Sequence, residues 1–82
     1  MTVAERFAAN LARCREASDI TQEELGFRAG LHRTEISQLE RGLRVARVDT
    51  VAKLAGALEV EPATLLDGIK WTPGTLQPGH FA

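Results

Sequence analysis

Ile20-Thr21-Gln22-Glu23-Glu24-Leu25-Gly26-Phe27-Arg28-Ala29-Gly30 runs on into Leu31-His32-Arg33-Thr34-Glu35-Ile36-Ser37-Gln38-Leu39-Glu40-Arg41-Gly42. The punctuation of this stretch is helical. Thr21 is a good N-cap, and Glu24 three residues later completes the pattern of a capping box. Ile20 and Leu25 stand at the two positions of a hydrophobic staple. The helix that starts here runs through Ala29 and stops at Gly30, the residue best able to turn left-handed. A second helix spans roughly His32 to Arg41 and ends at Gly42. Its Ile36 and Leu39 point inward, while Arg33, Thr34, Ser37 and Gln38, at i, i+1, i+4 and i+5, share the opposite polar face.

Two short helices joined by a tight glycine turn form a helix-turn-helix pattern. The first helix braces the second, and the second exposes a row of polar side chains. An α-helix fits the major groove of B-DNA, where base edges are distinguishable. Arg33 could bond guanine, Gln38 could bond adenine through two hydrogen bonds, and Thr34 could touch a thymine methyl.

Outward from this stretch the rest of the chain also reads as helix. Val3, Phe7, Leu11 and Cys14 fall at helical spacing over Val3 to Ala17, a first helix broken by Ser18-Asp19. After a linker from Leu43 to Val48, Asp49 or Thr50 can cap a fourth helix with Val51, Leu54, Ala55 and Leu58 on its apolar face. Val60 re-enters the core. Pro62 suits the first turn of a short fifth helix that carries Leu65 and Leu66 and closes at Gly68. The expected fold is all-α, a compact five-helix bundle over residues 1–68 with the helix-turn-helix at its centre. A short extended tail follows over 69–82. In it Ile69-Lys70-Trp71 alternates as a short strand would, and Trp71 could pack on its own domain or on a second subunit.

Composition sets the limits. The 82 residues make one domain, 44% hydrophobic and 26% charged, which is globular rather than disordered. One cysteine allows neither an intramolecular disulfide nor a paired-cysteine metal site. Cys14 lies on the apolar face of the first helix and reads as core packing. No apolar run reaches signal-peptide or membrane-spanning length, so a cytoplasmic protein without a membrane partner is expected. The histidines are His32 and His80 alone, and no carboxylate pair, phosphate-binding loop or metal spacing appears. An enzyme is therefore not expected, nor a metal or cofactor. The formal net charge of −1 does not favour a polyanion, but its distribution does. Arg28, Arg33, Arg41, Arg44 and Arg47 against Glu35 and Glu40 give residues 28–47 a charge of +3, and such a segment can turn one face to DNA.

Thr21-Gln22-Glu23-Glu24-Leu25, Gly30 and Ile36-Ser37-Gln38-Leu39-Glu40-Arg41-Gly42, continued by Leu54, Ala55, Leu58, Val60 and Leu65-Leu66, resemble the phage-repressor family of helix-turn-helix regulators (the Cro/repressor or xenobiotic-response-element type). The resemblance covers roughly residues 6–68. It implies a five-helix bundle that binds double-stranded DNA through the third helix, as a homodimer with two-fold symmetry. Position by position, it implies base reading by Arg33, Thr34 and Gln38, with Ser37 near the backbone or bases. It implies phosphate contacts from Gln22, with Thr21 beside it, and from Arg41, Arg44 and Arg47. Arg15 and Glu40 match positions that pair between the first and third helices.

The chain departs from the family at several points. Gly26 stands where Ala is usual, and His32 replaces a capping Ser or Thr. The frequent linker proline is absent from Ala46-Arg47-Val48. Glu35 puts a negative charge near the DNA-facing side, where it could accept from a cytosine amino group or favour the positive end of the helix. A second function class stays open at this point: an antitoxin-type module that holds a partner protein and represses its own operon.

Overall fold

The computed structural model describes residues 1–74. Five helices follow in order: α1 (Val3–Ala17), α2 (Gln22–Ala29), α3 (Arg33–Glu40), α4 (Val48–Leu58) and α5 (Pro62–Leu65). No strand occurs among the described residues. The third helix packs against both α1 and α2, α4 packs against α2 and α5, and α1 closes the bundle on α5.

Each helix contributes its apolar stripe to one core. Leu11, Leu25, Ile36, Leu39, Leu54 and Leu65 are completely shielded from solvent, each worth about 1.5–3 kcal/mol relative to the exposed state. Cys14 joins them, unpaired and buried, as packing requires. Ile20 and Val60 pack against the same cluster. Two expected members do not. Val3 is 44% and Leu66 is 45% exposed, because α1 begins at Val3 and α5 has ended before Leu66, so neither has a neighbouring helix to cover it.

The helix ends show where local chemistry decides. A complete capping box stands at the start of α1, where the expectations for the chain had not put one. Glu5 N–H donates to Thr2 Oγ1 at 3.1 Å, and Thr2 N–H donates to Glu5 Oε1 at 2.8 Å. These bonds hold the Glu5 carboxyl below its ordinary range, the backbone N–H of Thr2 first and its hydroxyl second. At α2 only half of the expected box forms. Thr21 Oγ1 accepts from Glu24 N–H at 3.0 Å, but the Glu24 carboxylate turns to Arg28, four residues on, which offers a charged donor in place of a backbone amide. The cap foreseen at Asp49 or Thr50 is also displaced. Helix α4 starts at Val48 with Arg47 as N-cap and no side-chain cap bond. Thr50 is buried, and Asp49 lies in the first turn, where the helix dipole favours it.

Gly30 and Gly42 both take the left-handed conformation that ends α2 and follows α3, with φ of 70° and 69°. Leu31 N–H then closes back on Gly26 O at 2.8 Å, and Leu43 N–H on Gln38 O at 3.0 Å, the bonds of helix-stopping turns. Gly26 is buried for a different reason. A Cβ there would sit 2.7 Å from the Leu31 carbonyl oxygen, so backbone meets backbone where α2 crosses the entry to α3.

One buried polar side chain ties the two ends of the chain together. Asn10 Nδ2 donates to Leu65 O at 2.9 Å and to Asp67 O at 2.8 Å, and its Oδ1 accepts from Arg13 Nη1 at 3.2 Å. The carbonyls left over at the end of α5 are thereby satisfied. Beyond Gly68 the described tail is neither helix nor strand. Ile69 packs on the core, but Trp71 is 83% exposed and does not cover its own domain. The short strand expected at 69–71 is absent because nothing pairs with it. The rest of the tail, with His80 and Phe81, lies outside the described residues.

Candidate nucleic-acid interface

The α2–turn–α3 unit presents α3 as an exposed rod. Its inner face is Ile36 and Leu39, both fully buried, which fixes its rotation about its own axis. The outer face follows from that rotation. Arg33, Thr34, Ser37, Gln38 and Arg41 line a single shallow cleft along it. All four expected base-reading side chains are thus brought together, with Arg41 at the far end. At the near end Arg33 also borders a second cleft, shared with Arg15, Thr21, Gln22 and Glu23. The two clefts share Arg33 and between them carry residues from the start of α2 to the end of α3.

His32 caps α3 with its backbone only; its side chain makes no cap bond, as expected of a residue standing where Ser or Thr is usual. The first-turn N–H groups of α3 therefore receive no side-chain acceptor from the cap residue.

Beneath the near cleft lies a charged network. Arg15 Nε donates to Glu40 Oε2 at 2.6 Å and Arg15 Nη2 to Glu40 Oε1 at 3.0 Å. The Glu40 carboxylate is only 6% exposed and the Arg15 side chain 16%. Arg15 Nη1 also donates to Ile20 O at 2.8 Å. Its hydrogen bonds to Glu40 hold the guanidinium still more firmly in the charged form, against the cost of burial. The pairing expected between the first and third helices is present. A third member was not expected: Gln22 Nε2 donates to Glu40 Oε1 at 3.2 Å. Gln22 is half-buried and rests against this network, so its amide is positioned before any ligand arrives.

Arg44 and Arg47 stand apart. They line a separate cleft with Glu35, Asp49 and Lys53, and each faces a carboxylate, Glu35 for Arg44 and Asp49 for Arg47. Glu35 sits in the first turn of α3, where the helix dipole favours it. Lys53 lies 3.9 Å from Asp49 and adds a sixth cation to the region beyond the five arginines of residues 28–47.

Among the described residues no group of His, Cys, Asp and Glu could hold a metal ion, and no helix is long and apolar enough to cross a membrane.

Comparison with known proteins accords with this geometry. The helix-turn-helix family model HTH_3 matches residues 11–65, from the core of α1 to the end of α5. The chain belongs to this helix-turn-helix family of DNA-binding transcription regulators. Control protein C.BamHI of Bacillus amyloliquefaciens is 48% identical over 50 residues, covering 61% of this chain and 62% of that protein. An uncharacterised HTH-type transcriptional regulator of Sinorhizobium fredii, y4dJ, is 41% identical over 64 residues, covering 78% of this chain and 83% of its own. Among solved structures, the restriction-modification controller protein C.AhdI from Aeromonas hydrophila superposes with a TM-score of 0.74 at 37% identity, covering 76% of this regulator and 94% of that chain. The matched region holds every element of the two clefts.

Proposed function

We propose that this chain reads a specific DNA sequence in the major groove with α3, as a homodimer on a palindromic operator, and regulates transcription by that binding. The observation that carries the reading is the single exposed face of Arg33, Thr34, Ser37, Gln38 and Arg41, on a helix whose other face is wholly buried. Arg33, Thr34 and Gln38 specify the sequence, with Ser37 beside them. Thr21, Gln22, Arg41, Arg44 and Arg47 hold the phosphate backbone on either side. The activity is binding in the cytoplasm, with no catalysis.

Two-fold placement of α3 in successive major grooves requires half-sites about 34 Å apart. Val3, Val45, Leu66 and Ile69 border one small apolar cleft, and Val3, Val45 and Leu66 are well exposed there. With Trp71 nearby in sequence, this face supports a dimer through the end of the bundle and the tail. C.AhdI is a restriction-modification controller protein, which makes a neighbouring restriction-modification operon, together with the chain's own promoter, the first targets to test.

The second reading, an antitoxin-type module that holds a partner protein, is favoured by one feature. Phe27 on α2 is 84% exposed and unused by the core. Fluorescence anisotropy separates the two. Tight, salt-sensitive binding to the upstream DNA over a scrambled duplex supports the regulator. Equal, weak binding to both duplexes, with a co-purifying partner protein, overturns it.

A further inference from the structure

Two of the arginines assigned to the DNA backbone are already engaged. Arg44 Nη1 lies 3.5 Å from Glu35 Oε2, and Arg47 Nε lies 3.2 Å from Asp49 Oδ1. Both carboxylates sit in the first turn of a helix, Glu35 in α3 and Asp49 in α4, where the positive end of the helix holds a negative group in place. All four side chains border the same polar cleft. To a guanidinium, a carboxylate and a phosphate offer the same recognition, oxygens set to accept from its fork of N–H donors.

We infer that Glu35 and Asp49 are built-in competitors for DNA phosphate, occupying Arg44 and Arg47 in the free protein and giving them up only by exchange. The inference rests on the reading of these arginines as phosphate contacts. A free arginine brings its whole attraction to DNA. A paired one brings only the difference between two anionic partners, and leaves a carboxylate behind beside the duplex. Charge alone then holds the chain weakly on random DNA, and the base contacts of α3 carry a larger share of stable binding. The internal pairs are screened by salt like any exposed pair, so the competition is strongest at low ionic strength. Glu35 is the better competitor: its side chain is 26% exposed against 49% for Asp49, and Arg44 is less exposed than Arg47.

The test uses the full chain, a random-sequence duplex and anisotropy at low and high salt, with melting curves to verify folding. Glu35→Gln should bind random DNA about two- to five-fold tighter at low salt, the range spanned by exposed ion pairs, with a smaller gain at high salt. Asp49→Asn should give a smaller gain in the same direction. Arg44→Gln should weaken binding, and the gain from Glu35→Gln should shrink in the Arg44→Gln background to the part due to the carboxylate's charge beside the duplex. An undiminished gain in that background would mean Glu35 acts by through-space repulsion alone and would overturn the inference. So would no gain from Glu35→Gln while Arg44→Gln still weakens binding, which leaves the phosphate assignment intact. If Arg44→Gln has no effect, the phosphate assignment of Arg44 fails and the inference fails with it.

Discussion

The Arg15 guanidinium grips the Glu40 carboxylate through two hydrogen bonds, at 2.6 and 3.0 Å, across the junction of α1 and α3. The pair is mostly shielded from water, unlike an exposed pair of the kind that contributes little. Removing one partner leaves the other charged, buried and alone. Glu40→Ala should therefore cost about 3 kcal/mol, a fall in melting temperature on the order of 15 °C for a domain of this size. Replacing both Arg15 and Glu40 with apolar residues of similar volume should cost less than Glu40→Ala. Chemical denaturation of wild type and the two variants measures the difference, and a double variant worse than the single one would refute the account.

Asn10 makes a second prediction from the opposite end of α1. Its amide donates to two carbonyls, Leu65 O and Asp67 O, so the position needs a donor. Asn10→Ala should cost about 1–3 kcal/mol. Asn10→Asp should cost more at neutral pH, because a carboxylate presents only acceptors to those carbonyls. Burial and the two facing carbonyls raise its folded-state pKa, against the pull of Arg13, and protonation restores one donor for the two carbonyls. The penalty should thus be smaller below the ordinary carboxylate pKa and grow as pH rises from there through the raised one. A penalty independent of pH would count against this reading.

On the reading face, Gln38 is half-buried and borders the cleft with Arg33 and Thr34. Gln38→Ala should cost roughly 1–3 kcal/mol on the preferred operator and little on random DNA. Equal losses on both duplexes would move Gln38 from base reading to general contact.

The capping box at the start of α1 predicts an acid-sensitive term. Thr2 holds the Glu5 carboxyl below its ordinary value. A carboxyl lowered in the folded state adds stability above its unfolded pKa and loses it as pH falls through the folded one. Glu5→Gln keeps the bonding pattern of the box without the charge. Between neutral pH and the acid end of the carboxylate range, wild type should lose stability relative to Glu5→Gln. Parallel stability curves would show that the box carries no linkage.

Much of this was legible in the sequence, for reasons that differ by residue. Thr21, Gly30, Ile36, Leu39 and Gly42 act locally or by period, through a cap, a left-handed turn and a buried stripe, and the structure places them accordingly. Thr2-Val3-Ala4-Glu5 carries the same local signal for α1, a Thr with Glu three residues on. Asn10 also left a trace, since residues 7, 10, 11 and 14 share one helical face, but its partners stand 55 and 57 residues away. Tertiary pairing was legible at one place, Arg15 with Glu40, and there only through the family resemblance. Glu24 had two local partners on offer, the backbone amide of its cap and Arg28 at i+4, and spacing alone does not choose between them. Nothing local to Gln22 points to Glu40, or local to Arg44 to Glu35. The start of α4 differs from the local signal because the fold begins the helix at Val48, before the good cap residue Asp49.

The close approach of Gly26 to the Leu31 carbonyl has a consequence for how such a regulator changes over time. Main chain against main chain sets the angle between brace and reading helix, and no side chain of the outer face takes part in it. Arg33, Thr34, Ser37 and Gln38 can then be exchanged as a set while the mount beneath them stays still. If those four side chains read the operator as proposed, the molecule separates a fixed chassis from a replaceable key, and a lineage can acquire a new operator without first rebuilding the domain that carries it.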